Sequence, residues 1–137
     1  VIDQQFIRAE INRLKGKFDI REVGFDPWNA NQIALDLTDD GITVAEVRQG
    51  FKTMSPAMKE LQKLLVGKEL EHGGNPVLRW MFGNMAVKKD ENDNIRPVKD
   101  KSTERIDGIV ALINALARAT LHEDQTSVYQ DRGLLSL

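Results

Sequence analysis

Cysteine is absent from this 137-residue sequence, and so is any long hydrophobic run. Without cysteine there are no disulfides, thiolate zinc sites or thiol nucleophiles, so any catalysis must use carboxylates, the two histidines, hydroxyls or lysines. No apolar segment approaches the roughly 20 residues that span a bilayer, and the first residues, VIDQQFIRAE, lack the pattern of a signal peptide. We therefore expect a soluble intracellular chain.

A strong net charge is absent too. The 19 Lys and Arg residues against 21 Asp and Glu residues leave a charge of −2. No global field therefore attracts nucleic acid, and a DNA-binding function must depend on local basic patches. Hydrophobic residues make up 41% and charged residues 29% of the chain, which is typical of one soluble globular domain or a piece of one.

Helical and extended patterns alternate in the first half of the sequence. Ile7, Ile11, Leu14 and Phe18 recur at helical spacing. Asn29 is a candidate helix cap and Gly41 a candidate helix stop. The pattern predicts a helix over residues 3–18, a strand over 20–25, a helix over 29–40, a strand over 42–47 and a helix opening at Ser55 and Pro56.

The second half contains a Gly-Gly-Asn-Pro turn, a short helix over residues 77–82 and two extended arms around the polar tip DENDN. We interpret the arms and tip as a hairpin. Residues 103–121 form the strongest helical pattern of the chain. The last residues, 122–137, are polar, and we expect a flexible tail there.

This alternation favours an α/β fold with parallel strands. Only two central strands are visible, however, and two parallel strands plus a hairpin make a poor sheet. The chain therefore either pairs with something else or is the latter part of a larger domain.

Asp26 is the first candidate site residue. It follows the apolar strand VGF directly, and ligands in open α/β sheets bind at the carboxyl ends of strands. Pro27 prevents the strand from continuing. The alternative is that Asp26 is a turn residue or a helix cap.

Asp107 is the second candidate. It lies beside the apolar stripe of the last predicted helix and precedes Gly108, where glycine costs roughly 1 kcal/mol relative to alanine. We infer that another group approaches the backbone closely there. Asp100, Glu104 and Asp107 also fall on one face of the predicted helix, for which a solvated charged face is the plain alternative.

Carboxylates from a strand end and from a helix are the oxygen ligands that Mg²⁺ and Mn²⁺ take. Two such ions about 4 Å apart can clamp both the attacking and the leaving oxygen of a phosphodiester. A site of this kind normally needs three or four acids, of which this sequence supplies two defensible ones.

Four segments in order, FDPWNANQ, EVRQGFKTMSPAMKELQKL, HGGNPVLRWM and KSTERIDGIVALINALARA, resemble the C-terminal nuclease domain of tailed-bacteriophage terminase large subunits. The resemblance covers about residues 1–121. It implies an RNase H-like fold, an N-terminally truncated form of the domain, and a two-metal endonuclease that cuts concatemeric viral DNA during genome packaging. It further implies Mg²⁺ or Mn²⁺ as cofactor and the cytoplasm of a bacterial host, for a phage or prophage protein. The implied partners are double-stranded DNA, the terminase ATPase domain, the small terminase subunit and the portal.

By position, Asp26 resembles the second catalytic acid of that family and Asp107 the last one. No residue here matches the family's first acid, which lies on the first strand of the fold. We therefore expect this chain alone to be inactive. The absent first strand would leave the edge of the strand over residues 20–25 open, and we expect the chain to associate through that edge with itself or with the missing segment.

Six further residues are candidate phosphate contacts: Arg48, Lys52, His72, Lys88, Lys89 and Arg96. Solvated surface charge is the alternative for the cations, and a backbone hydrogen bond in a turn is the alternative for His72. For Trp28 and Trp80 we expect core or lid packing, and stacking on bases is the alternative.

Two functions remain open. One is a metal-dependent DNA endonuclease domain. The other is a non-catalytic module that docks on DNA or on the portal and terminase partners. A nucleotide-binding domain is disfavoured because no Gly-rich phosphate loop follows either strand.

Overall fold

A computed structural model describes the backbone of residues 2–28, 30–99 and 102–134, and side chains as far as residue 122. The chain divides into two compact units, residues 1–48 and 49–137. Within the described residues, no helix is both long and apolar enough to cross a membrane.

The first unit is a strand–helix–strand motif preceded by a helix. Strands β1 (Val23–Phe25) and β2 (Val44–Glu46) pair in parallel, with Val23 opposite Val44 and Phe25 opposite Glu46. Among the described residues, β1 pairs with β2 alone. The elements are α1 (Gln4–Lys15), β1 (Val23–Phe25), α2 (Asn31–Asp39) and β2 (Val44–Glu46), which confirms the predicted order with shorter strands.

A carboxylate at the C-terminal end of α2 holds α1 against α2 through hydrogen bonds. Arg8 donates to both oxygens of Asp40, at 2.7 and 2.6 Å, and the Asn12 amide donates to the same carboxylate at 2.7 Å. The hydrogen bonds from Arg8 and then Asn12 lower the pKa of Asp40 to about 2. Gly41 follows with a φ of +74°, which suits the predicted helix stop. The predicted cap Asn29 lies outside the described residues, and the N-cap position of α2 is Ala30.

The second unit packs a hairpin and two helices against α3. Its elements are α3 (Phe51–Val66), α4 (Pro76–Asn84), β3 (Ala86–Lys89), β4 (Ile95–Val98) and α5 (Asp107–Leu134). Helix α3 contacts both α5 and β4. The core of this second unit is apolar and consists of Met54, Ala57, Met58, Leu61, Val98, Ile106, Ile109 and Ile113.

A buried hydroxyl ties the hairpin to α3. Ser55 is 1% exposed, and its Oγ accepts a hydrogen bond from the Ile95 backbone N–H at 3.1 Å. The hairpin is antiparallel, with Lys88 opposite Arg96. Its tip is organised by Asp90, whose carboxylate accepts from the backbone N–H groups of Asn92 and Asn94. The predicted hairpin is therefore confirmed.

Two helix starts differ from the predictions. Helix α3 begins at Phe51 rather than Ser55, and Pro56 lies inside it. The packing of its buried face outweighs the lost hydrogen bond of an internal proline, so the local start signal is wrong here. Helix α5 begins at Asp107 rather than Thr103. Its backbone continues to Leu134, beyond the predicted end at Leu121. The flexible tail over residues 122–137 remains a prediction.

Candidate functional site

Asp26 directly follows β1 and is exposed. Its Oδ1 accepts a hydrogen bond from the Trp28 backbone N–H at 3.1 Å. This is the turn role that the sequence offers as the alternative. A carboxylate has about four lone-pair sites and this bond uses one, so the turn does not prevent the side chain from binding a cation.

Asp107 is the first residue of α5. Its side chain is 61% exposed, and its Oδ1 lies 3.4 Å from the Lys99 ammonium nitrogen. A negative charge is favourable at a helix N-terminus, so the position also has a structural advantage. Glu104 precedes α5 and so does not share a helical face with Asp107, whereas the third predicted acid, Asp100, lies outside the described residues.

The inferred close approach at Gly108 is confirmed. Its N–H donates to the Met81 sulfur of α4 at 3.2 Å. A Cβ at this position would lie 2.9 Å from that sulfur and 3.4 Å from Leu78 Cδ1. Glycine therefore allows α4 to pack against the end of α5 that bears Asp107.

The donor chemistry of these acids suits a hard divalent cation, since Mg²⁺ is usually bound through one or two carboxylates together with water and substrate phosphates. Asp26 lies in the unit of residues 1–48 and Asp107 in the unit of residues 49–137. The described residues contain no group of three or more His, Cys, Asp or Glu side chains that could hold a metal ion.

The candidate phosphate contacts fall into two groups. Arg48, Lys52 and Lys88 are exposed. Lys89 instead pairs with Asp93 at 2.8 Å, and the Arg96 guanidinium lies 5.2 Å from the centre of the Phe51 ring. Lys88 lies opposite Arg96 in the hairpin, an arrangement of like charges that is unfavourable by itself.

His72 has a structural contact. Its Nδ1 accepts a hydrogen bond from the Gly74 backbone N–H at 3.1 Å. Gly73 and Gly74 have φ values of +62° and +66°, so the segment is a tight turn. This is the backbone role that the sequence offers as the alternative, and contact with phosphate remains a prediction.

The exposure of the tryptophan side chains differs from the expected core or lid packing. Trp28 is 81% exposed and Trp80 is 48% exposed, so the predicted core or lid packing is wrong for Trp28. The sequence shows a tryptophan beside a candidate acid, but no periodicity reveals whether a loop side chain is covered. The sulfur contact of Met81 was missed as well, because methionines at helical spacing usually indicate core packing.

Comparisons with known proteins agree on one family. The sequence model of the family described as terminase large subunit, endonuclease domain, matches residues 1–123. The chain is 32% identical over 129 residues to protein YmfN of Escherichia coli (strain K12), covering 93% of this chain and 28% of that protein. It is 36% identical over 120 residues to the terminase large subunit of Enterobacteria phage HK97, covering 86% of this chain and 24% of that protein.

A solved structure gives the same result. The crystal structure of the HK97 bacteriophage large terminase matches with a TM-score of 0.78 and 35% identity, covering 85% of this chain and 25% of that one. The predicted α/β class and RNase H-like fold are thereby confirmed. The chain spans about a quarter of the length of these relatives.

Proposed function

This chain belongs to the family of terminase large-subunit endonuclease domains, and on that premise we propose that it forms part of a two-metal endonuclease. The substrate is concatemeric double-stranded viral DNA, which is cut during genome packaging. The observation that carries the proposal is the family match over residues 1–123. The position of Asp26 at the carboxyl end of a parallel strand supports it, because ligands collect there in α/β sheets.

Asp26 and Asp107 serve as the metal-binding catalytic carboxylates in this proposal. When bound, Mg²⁺ or Mn²⁺ would generate the attacking hydroxide and stabilise the leaving oxygen. Both side chains are exposed, so neither needs to be uncovered before it accepts a cation. No residue of the sequence matches the family's first acid, and we therefore propose that the chain alone does not cut DNA.

Cationic side chains bind the DNA backbone in this proposal. The exposed Arg48, Lys52 and Lys88 are the strongest candidates. Lys89 and Arg96 would have to give up contacts with Asp93 and Phe51, so we assign them a smaller contribution. Phosphate contacts of this kind position the DNA without reading its sequence, which suits cleavage with little site preference.

Within the packaging machine, the proposed partners are the terminase ATPase domain, the small terminase subunit and the portal. The proposed location is the cytoplasm of a bacterial host that carries the phage or prophage. Among the described residues β1 pairs with β2 alone, and its other edge would accept a further strand, for example from a second copy of the chain.

A second function is favoured by one observation. Each unit contributes a single candidate acid, and the described residues form no three-ligand group. A non-catalytic module that docks on DNA or on the portal would need no such group.

A hybrid protein separates the two functions. Residues 1–123 would replace the matching segment of the HK97 terminase large subunit, so that the family's first acid is present. We expect this hybrid to nick plasmid DNA only with Mg²⁺ or Mn²⁺, and we expect Asp26→Asn or Asp107→Asn to abolish nicking.

Glu104→Gln is the matched control, since Glu104 is an exposed acid just before α5 and has no proposed catalytic role. It should leave nicking unchanged. A folded hybrid that binds DNA but never nicks it would favour the docking function. Nicking that survives both Asn substitutions would show that these carboxylates are not the catalytic acids.

A further inference from the structure

Trp28 is the most exposed large aromatic side chain among the described residues, with 81% of its surface accessible. A tryptophan offers roughly 150–250 Å² of surface for burial and is therefore rarely left in water without a partner. It lies in the segment that follows β1, two residues after Asp26. The exposed ring therefore belongs to a residue two positions from the acid that the proposed function makes catalytic.

The backbone around this ring is fixed. Pro27 restricts φ to about −65°, and the Trp28 N–H donates to Asp26 Oδ1 at 3.1 Å. Two Cα atoms that are two residues apart along the chain are at most about 7 Å apart in space. A molecule that contacts the Asp26 carboxylate is therefore within reach of the indole.

The chemistry of that molecule is set by the proposed function, on which this inference depends. A phosphodiester that reaches Asp26 has bases attached to the nucleotides on either side. In a duplex the neighbouring bases cover each π-face, so the indole stacks on a base that is unstacked or single-stranded beside the cut. Because every base has a π-face, this stacking requires no particular sequence. The other candidate contacts are cations that bind phosphates. An aromatic side chain that stacks on a base would add affinity of a different kind.

We infer that Trp28 is a DNA-contact residue, and that its indole stacks on a base next to the phosphodiester held at Asp26. The Trp28 N–H bond to the carboxylate couples the position of the indole to that of the acid. Trp28 is thus a substrate-binding residue and not a packing residue of this unit.

The test uses the full 137-residue chain with Trp80→Phe, which leaves Trp28 as the sole tryptophan. EDTA is present, so that binding is observed without cleavage. Short double-stranded and single-stranded oligonucleotides are added while indole emission and the anisotropy of a dye on the DNA are recorded together. We expect quenching of Trp28 emission that tracks the anisotropy curve.

Substitutions then measure the contact. Trp28→Ala should weaken binding of the single-stranded oligonucleotide about 5- to 150-fold, which corresponds to about 1–3 kcal/mol of stacking per base at 1.4 kcal/mol per factor of ten. Trp28→Phe keeps a ring and should recover part of the affinity, whereas Trp28→Leu should not. Phe6→Ala removes another exposed ring of the same unit, 74% accessible, and should leave affinity unchanged.

Each contrary result has a distinct meaning. This inference is overturned if anisotropy shows DNA binding while the indole emission stays unchanged and Trp28→Ala binds with normal affinity. The proposed function would still stand. Wild-type affinity in Trp28→Leu overturns the stacking contact. Quenching that depends on protein concentration without DNA shows that a second copy covers the ring, which also overturns it. No binding by anisotropy contradicts the proposed function together with this inference.

Discussion

Gly108→Ala tests the packing that supports Asp107. The new Cβ would lie 2.9 Å from Met81 Sδ, a separation that real Cβ atoms essentially never show. Overpacking of this kind costs about 1–3 kcal/mol. The removal of a helical glycine returns about 0.5–1 kcal/mol. The expected net effect is a loss of about 0–2.5 kcal/mol in the free energy of unfolding.

Gly83→Ala is the matched control. It lies in α4, where an added Cβ meets nothing within 4 Å. It should stabilise the unit by up to about 1 kcal/mol, because only the helix propensity changes. The two variants should therefore differ by about 1–3 kcal/mol, the cost of the Met81 contact.

Urea unfolding followed by Trp80 emission, in a Trp28→Phe background, reports on the unit that contains both glycines. Adding Met81→Ala to Gly108→Ala removes the obstructing sulfur and should recover stability beyond the sum of the single effects. If Gly108→Ala stabilises the unit as much as Gly83→Ala, the inferred close approach is refuted.

Single contacts give three further predictions. Asp40 has a pKa of about 2, against an ordinary 3.8, so its carboxylate stabilises the fold above pH 4 and loses that effect as the pH falls toward 2. Acid titration of Asp40→Asn by circular dichroism should therefore show a flatter response than the wild type between those limits. An unchanged curve contradicts the pairing with Arg8. Ser55→Ala removes the acceptor of the Ile95 N–H and should cost about 1–3 kcal/mol in urea unfolding, with faster hydrogen exchange at that amide; unchanged exchange contradicts the tie. Lys88→Ala should lower the slope of log affinity for DNA against log salt by about 1, and an unchanged slope removes Lys88 from the interface.

Local patterns were sufficient for much of the fold. The alternation around Phe25 and Val44 and the polar tip after Lys89 predict the parallel pair and the hairpin, because both are set by nearby residues. The start of α3 was not predictable from local signals. Pro56 is typical of a first helical turn, and only the burial of the helix face explains why the helix begins earlier.

The candidate site was predictable only in part. Asp26 follows a strand and Gly108 is costly in a helix, and both signals are local. That Trp28 is exposed, and that Met81 is the group that approaches Gly108, depends on tertiary contacts that no spacing encodes. The same holds for Arg96, whose stacking on Phe51 joins residues far apart in sequence.

The central claim is that Asp26 and Asp107 bind catalytic metal ions directly. Because the chain has no cysteine, Asp26→Cys or Asp107→Cys introduces a single thiol into its part of the hybrid nuclease. Thiolates prefer softer metals than Mg²⁺ or Mn²⁺, so we predict that each variant nicks DNA poorly with Mg²⁺ or Mn²⁺ and regains nicking with Cd²⁺. Equal loss of nicking with all three metals, in a hybrid that folds and binds DNA, would contradict the claim.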